Sequence, residues 1–168
     1  MAAPLFPANA HRHDPYRKFK FQVLIDGQPV AGLKKVSALI KKTEVVEWRT
    51  GGDPTHVRKL PGSTMYEPIT LEQGLTHDPV FEQWANLVNN IDGDAAMSLK
   101  DFRKDIVINL LNLQGTVVIS YQVKRAWVSE YQALPDLEAD NCEVGIQRIV
   151  LEHEGWDRDE ATAEPAES

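Results

Sequence analysis

The chain has 168 residues, a formal net charge of −7, 42% hydrophobic and 26% charged residues, which suits one globular domain with a single core. An acidic balance lacks the surplus of Lys and Arg that phosphate neutralisation needs, so neither specific nucleic-acid recognition nor attraction to anionic membranes is expected. No apolar run reaches the roughly 20 residues of a membrane-spanning helix, and the single cysteine, Cys142, excludes an intrachain disulfide.

Residues 1–14 are rich in Ala, Pro and His without periodicity and predict a flexible arm. They lack the basic start and apolar stretch of a Sec-type signal, so the protein is expected to stay in the cytoplasm after synthesis. A single ordered domain is expected over residues 15–156. From Lys18 to Ile25, Phe19, Phe21, Val23 and Ile25 alternate with Lys18, Lys20 and Gln22, the two-residue period of a half-buried strand. Asp26-Gly27 marks a turn at its end. A second run, Val30 to Val36, is expected to pair back as a hairpin, and Thr43 to Arg49 reads as a third strand.

Thr50 to Ser63 holds Gly51, Gly52, Asp53, Pro54, Pro61 and Gly62, and this density of Gly and Pro predicts a long loop. Strand character resumes over Tyr66 to Gln73, where Pro68 favours an edge or the start of the strand. One helix is predicted between Asp78 and Ile91. Asp78 can cap it, Pro79 suits its first turn, and Val80, Phe81, Trp84, Leu87, Val88 and Ile91 share one face.

Asp92 to Arg103 reads as a second loop. Strands follow at Lys104 to Leu111 and, after a turn around Asn112 to Gly115, along Thr116 to Tyr131. Beyond a Leu134-Pro135-Asp136 break, Glu143 to Glu152 forms the last. Residues 157–168 carry a net −4 and predict a disordered acidic tail. Six or seven strands and one helix, in the order β-rich, helix, β-rich, predict a mainly β (α+β) fold: an antiparallel β-barrel or two packed sheets with one flanking helix.

Motifs for chemistry are sparse. The chain has no Gly-x-Gly-x-x-Gly, Walker-type Gly-Lys-Ser/Thr, Gly-x-Ser-x-Gly or His-Glu-x-x-His. His11, His13 and Asp14 could begin a metal site, but no second Cys/His cluster completes four ligands. Cys142 and His153 could be a nucleophile and base, yet they lie eleven positions apart on or beside one strand. Glu152 and Glu154 flank His153 with nothing to separate their protonation roles. Gly51-Gly52-Asp53 offers backbone amides for phosphate, without a helix start behind it. No catalytic residue, cofactor or metal is therefore expected, and the sequence favours binding or assembly over enzymatic activity.

The segments Tyr16 to Asp26 (YRKFKFQVLID), Gly51 to Gly62 (GGDPTHVRKLPG), Tyr66 to Gly74 (YEPITLEQG), Asp101 to Leu111 (DFRKDIVINLL), Trp127 to Tyr131, and Glu143 to Gly155 (EVGIQRIVLEHEG) resemble the tail-tube proteins of contractile phages. The likeness lies with the branch found in extracellular contractile injection systems, related to the type VI secretion ring protein. It covers roughly residues 14–156, and the Gly51–Gly62 loop is its most specific part.

The resemblance implies a structural subunit that forms six-membered rings stacked into a hollow inner tube. A contractile sheath would propel the tube, with baseplate, tube-initiator and cap proteins as partners and cargo in the lumen. It further implies assembly in the bacterial cytoplasm and residence in the injection particle. A tube-initiator or baseplate-proximal paralogue, a secreted ring-shaped effector carrier and a small-ligand-binding barrel are the alternatives. For a tube subunit, the surface expected to meet the neighbouring subunit or ring comprises Arg49, Gly51, Gly52, Asp53, Thr55, His56, Val57, Arg58, Lys59, Leu60, Pro61 and Gly62, whose basic side chains would set register against acidic partners.

Overall fold

The computed structural model describes residues 6–9, 11–12, 14–52, 55–88 and 101–166. Strand β1 (Phe21–Ile25) follows its alternation and buries Val23 and Ile25. Asp26 and Gly27 turn with φ of 55° and 81°, the paired positive φ values that make Asp-Gly a hairpin turn. The returning β2 (Gln28–Pro29) is only two residues long. The expected hairpin over 30–36 therefore stops almost at once. Val30 donates the last bond to Val23 at 2.9 Å, Gly32 turns the chain with φ 72°, and β3 (Leu33–Val36) pairs with β6 instead.

Beyond β3, β4 (Lys41–Trp48) and β5 (Arg58–Tyr66) form a ribbon of their own. The remaining elements are β6 (Ile69–Gly74), α1 (Val80–Val88), β7 (Lys104–Leu111), β8 (Val117–Gln132), β9 (Ile146–Glu152) and β10 (Trp156–Arg158). Among the described residues there are ten strands. The three beyond the expected seven are β2, β5 and β10, and β10 carries the ladder two residues past Trp156.

The main sheet runs β2-β1-β7-β8-β9-β6-β3, with β10 also on β8. The 16-residue β8 belongs to both of its halves. Residues up to Ala126 pair with β7 and Trp127–Gln132 pair with β9, so the sheet folds over on itself at a corner in β8. That corner is a bulge: Lys124 and Arg125 together oppose Asp105, and Arg125 adopts φ 50°. Asp105 Oδ1 accepts the Arg125 backbone N–H at 3.0 Å, holding a conformation that non-glycine residues seldom adopt. β2 and β3, at the two ends of the order, form no ladder with each other. The two-sheet form of the expected fold is realised, without a closed barrel.

Between the two halves lie Val23, Ile25, Ile69, Leu71, Ile106, Val123, Val128, Ile149 and Leu151. Helix α1 lies on β8 and seals this core with Phe81 and Trp84, 0% and 1% exposed. Each side chain of this size contributes on the order of 1.5–3 kcal/mol by burial before entropy is subtracted. Asp78 Oδ1 caps the helix by accepting from Val80 N at 3.2 Å, and Trp84 Nε1 donates to Phe102 O at 2.8 Å. The predicted C-terminal end of the helix, Ile91, and most of the loop after it lie outside the described residues.

Candidate assembly surface

The β4–β5 ribbon pairs with no other strand and is exposed along all of β4 and all of β5 but Tyr66. Direct register partners are Val45 with Pro61, Val46 with Leu60, Glu47 with Lys59, and Trp48 with Arg58. Paired residues share a face and alternate along the strand. One face thus carries Val46, Trp48, Arg58 and Leu60, the other Val45, Glu47, Lys59 and Pro61. Val45, Val46, Trp48, Val57, Leu60 and Met65 are 41–60% exposed. A ribbon of uncovered apolar side chains with open edges is a template for pairing with another chain.

The last six residues of the expected Thr50–Ser63 loop, Arg58 to Ser63, are therefore strand. Gly62 and Ser63 together oppose Glu44 in a bulge beside Pro61, where an interrupted ladder tolerates a residue without an N–H. A Cβ on Gly62 would lie 3.1 Å from Val46 Cγ2 and 3.3 Å from Glu44 O, so glycine permits the close strand approach. Ser63 Oγ donates to Glu44 Oε2 at 3.1 Å, Thr43 and Thr64 share a hydroxyl bond at 3.0 Å, and Lys42 pairs with Glu67 at 2.9 Å at the base.

Of the residues expected at an interface, Arg49, Gly51, Gly52, Thr55, His56 and Val57 lie at the tip and in the connection. Arg58, Lys59, Leu60, Pro61 and Gly62 lie on β5, and all eleven are exposed; Asp53 lies outside the described residues. The expected surface leaves out β4, whose exposed Val45, Val46 and Trp48 extend it along the ribbon. Their signal was present: neighbours Val45 and Val46 put apolar side chains on both faces of one strand, which in a strand sheltered on one side only would be wasteful.

The chemical candidates are dispersed. Among the described residues no group of three His, Cys, Asp or Glu is placed to hold a metal, and His13 lies outside them. Cys142 is exposed in the β8–β9 connection. His153 is engaged elsewhere: Gly155 N donates to Nδ1 at 3.2 Å, leaving Nε2 to donate to Glu67 O at 2.9 Å. Glu154 pairs with Arg125 at 3.2 Å. None of this assembles a nucleophile, base and oxyanion donor.

The profile of the T4-like virus tail tube protein gp19 family matches residues 17–157. The chain belongs to that family. Its fold is shared with a chain in the anti-feeding prophage tube terminating cap (25% identity, TM-score 0.73, covering 88% of this chain and 93% of that one). A chain in the extended sheath–tube complex of the extracellular contractile injection system PVC has 23% identity, a TM-score of 0.71, and coverage of 86% and 91%. Hcp1 from Flavobacterium johnsoniae has the same fold at 13% identity, with a TM-score of 0.52 and coverage of 82% and 93%. No curated protein matches the chain. This tail-tube family member is structural by family, and none of its helices is long and apolar enough to cross a membrane among the described residues.

Proposed function

We propose that this chain is the subunit of the inner tube of a contractile injection system, and that its copies join into six-membered rings stacked around a channel. The observation that carries the reading is the β4–β5 ribbon, whose apolar faces stay uncovered in an isolated chain of the tail-tube family. A neighbouring copy would cover them. Arg49 and His56 at the tip and in the connection, with Arg58 and Lys59 on β5, then set the register of that contact. A surrounding sheath and terminal baseplate and cap proteins are the further partners this role requires, with cargo in the lumen. Assembly in the bacterial cytoplasm precedes incorporation into the particle.

The space between the sheets is filled by the apolar core, which speaks against a ligand-holding barrel. Negative-stain microscopy and native mass measurement of the purified protein test the proposal. Annular particles of six copies, or tubes built from them, are expected. A monodisperse monomer at high protein concentration overturns it.

A further inference from the structure

Two patches outside the ribbon have opposite character and stand at opposite ends of β8. The first is a cleft of about 420 Å³ between the segment before β1 and the β7–β8 turn. Arg12, Arg17 and Lys20 line it against one carboxylate, Asp14, together with Tyr16 and Phe19. Its parts are held in place. Arg12 lies 4.3 Å from the Tyr16 ring centroid, Lys20 Nζ donates to Leu113 O at 2.8 Å, and Asn112 Oδ1 accepts from Gln114 N and Thr116 N at 3.0 and 2.9 Å to shape the turn. Phe19 and Leu113 stay 57% and 63% exposed.

The second patch is the β8–β9 connection, residues 133–145. It holds Asp136, Glu138, Asp140 and Glu143 and no Lys, Arg or His. Leu134, Leu137 and Val144 are interspersed and 61%, 75% and 79% exposed. The connection is tied down at its far end, where Leu75 N donates to Gly145 O at 3.0 Å. In the chain the whole 16-residue β8 lies between it and the cleft. No residue of the connection lines the cleft of its own chain.

We infer that the acidic, leucine-bearing connection of one copy docks into the basic, aromatic cleft of the next copy along the tube axis. The inference rests on the tube-subunit reading and adds to it the pair of surfaces that makes the stack propagate. Opposite charges would steer the approach and the apolar side chains would be buried against Tyr16, Phe19 and Leu113. Because the two patches are different surfaces of one chain, each docking leaves a fresh patch open, which is the requirement for an open stack rather than a closed pair.

Two variants and a crosslink test it. The triple change Asp136→Lys, Glu138→Lys and Asp140→Lys is expected to leave rings intact. It should raise the protein concentration needed for tubes about tenfold. Adding Arg17→Glu and Lys20→Glu to the same chain is expected to restore tubes. In tubes of a Leu113→Cys variant, oxidation is expected to link position 113 to Cys142 of the adjoining copy and give a ladder of disulfide-joined multimers. Circular dichroism confirms that each variant keeps its fold.

Tubes formed by the acidic-to-basic variant at the wild-type concentration overturn the inference and leave the tube function standing. So does absence of the crosslink in wild-type-like tubes. Loss of rings in a folded variant overturns the axial assignment. A wild-type chain that forms neither rings nor tubes overturns the functional reading and this inference together.

Discussion

Gln147 Nε2 donates to Gln73 Oε1 at 2.8 Å, across directly paired positions of β9 and β6. Both side chains sit in the core, 5% and 1% exposed. All four amide atoms of the pair have a partner: Gln73 Nε2 also donates to Ala31 O at 2.6 Å, and Tyr131 Oη to Gln147 Oε1 at 3.3 Å. The pair therefore ties β9 and β6 to the Ala31–Gly32 crossing, where the chain passes from one half of the sheet to the other. A buried acceptor stripped of its donor costs more than the bond it made. Gln147→Leu is expected to lower the unfolding free energy by about 1–3 kcal/mol. Gln73→Leu should cost at least as much, because Ala31 O loses its donor too. In urea titrations the double variant should lose less than the two single losses combined; strict additivity would show that the amides do not act as a unit.

The corner of β8 depends on Asp105 in the same way. Its carboxylate accepts the Arg125 backbone N–H, and Arg125 is one of two non-glycine residues with positive φ among those described. Asp105→Ala is expected to destabilise the fold by about 1–2 kcal/mol, since a left-handed residue loses its support. Arg125→Gly relieves the backbone cost, about 1–2 kcal/mol, and should recover much of that loss when combined with Asp105→Ala. Thermal melts of the three variants decide the matter: a double variant no more stable than Asp105→Ala alone would remove strain at Arg125 from the account.

Period-two alternation made β1, β7, β8 and β9 legible in the sequence, because each buries one face and the hydrophobic pattern records it. The Gln73–Gln147 pair was readable by parity alone: Ile69, Leu71 and Gln73, and Gln147, Ile149 and Leu151, fall on the inward phase of their strands. The partner of β3 was not legible, because composition carries no record of which sheet a short strand will join after a turn at Gly32. β5 was hidden for another reason. Its Pro61 and Gly62 argue against a strand, and only the bulge opposite Glu44 makes them compatible with one. Of the proposed contact surface, the Gly51–Gly62 segment stood out by its motif, whereas β4 looked like an ordinary half-buried strand.

The ribbon gives a prediction that separates folding from assembly. Trp48 and Leu60 lie on a ribbon that pairs with no other strand and are 50% and 48% exposed. Trp48→Ser with Leu60→Ser should therefore change the stability of the unassembled chain by no more than about 0.5 kcal/mol per site. The same pair removes the largest apolar contact offered to a neighbour, and assembly should weaken by at least about tenfold. Charge reversal, Arg58→Glu with Lys59→Glu, should leave a folded protein that stacks poorly. Sedimentation of the assembled fraction and tube lengths in micrographs read these effects, and unchanged tubes in both variants would exclude the ribbon from the contact.

Alkaline pH tests a separate part of the structure. Lys124 is held above the ordinary lysine range, first by its hydrogen bond to Asp157 and then by that carboxylate's charge, with Nζ and Oδ2 2.6 Å apart. Tyr131 is raised too, by burial and then by the charge of Glu82. In both groups the folded state favours the protonated form. Their stabilisation is fully present below the unfolded pKa values near 10, and it disappears as pH climbs through the higher folded values. The melting temperature should then be level from about pH 7 to 9 and fall above about pH 10. Lys124→Met should lower the plateau slightly, as expected for an exposed pair, and reduce the fall, while Tyr131→Phe should reduce it further by removing the phenol. If the double variant falls as steeply as the wild type across the same interval, neither the β8–β10 ion pair nor the phenol packed near α1 governs the alkaline transition.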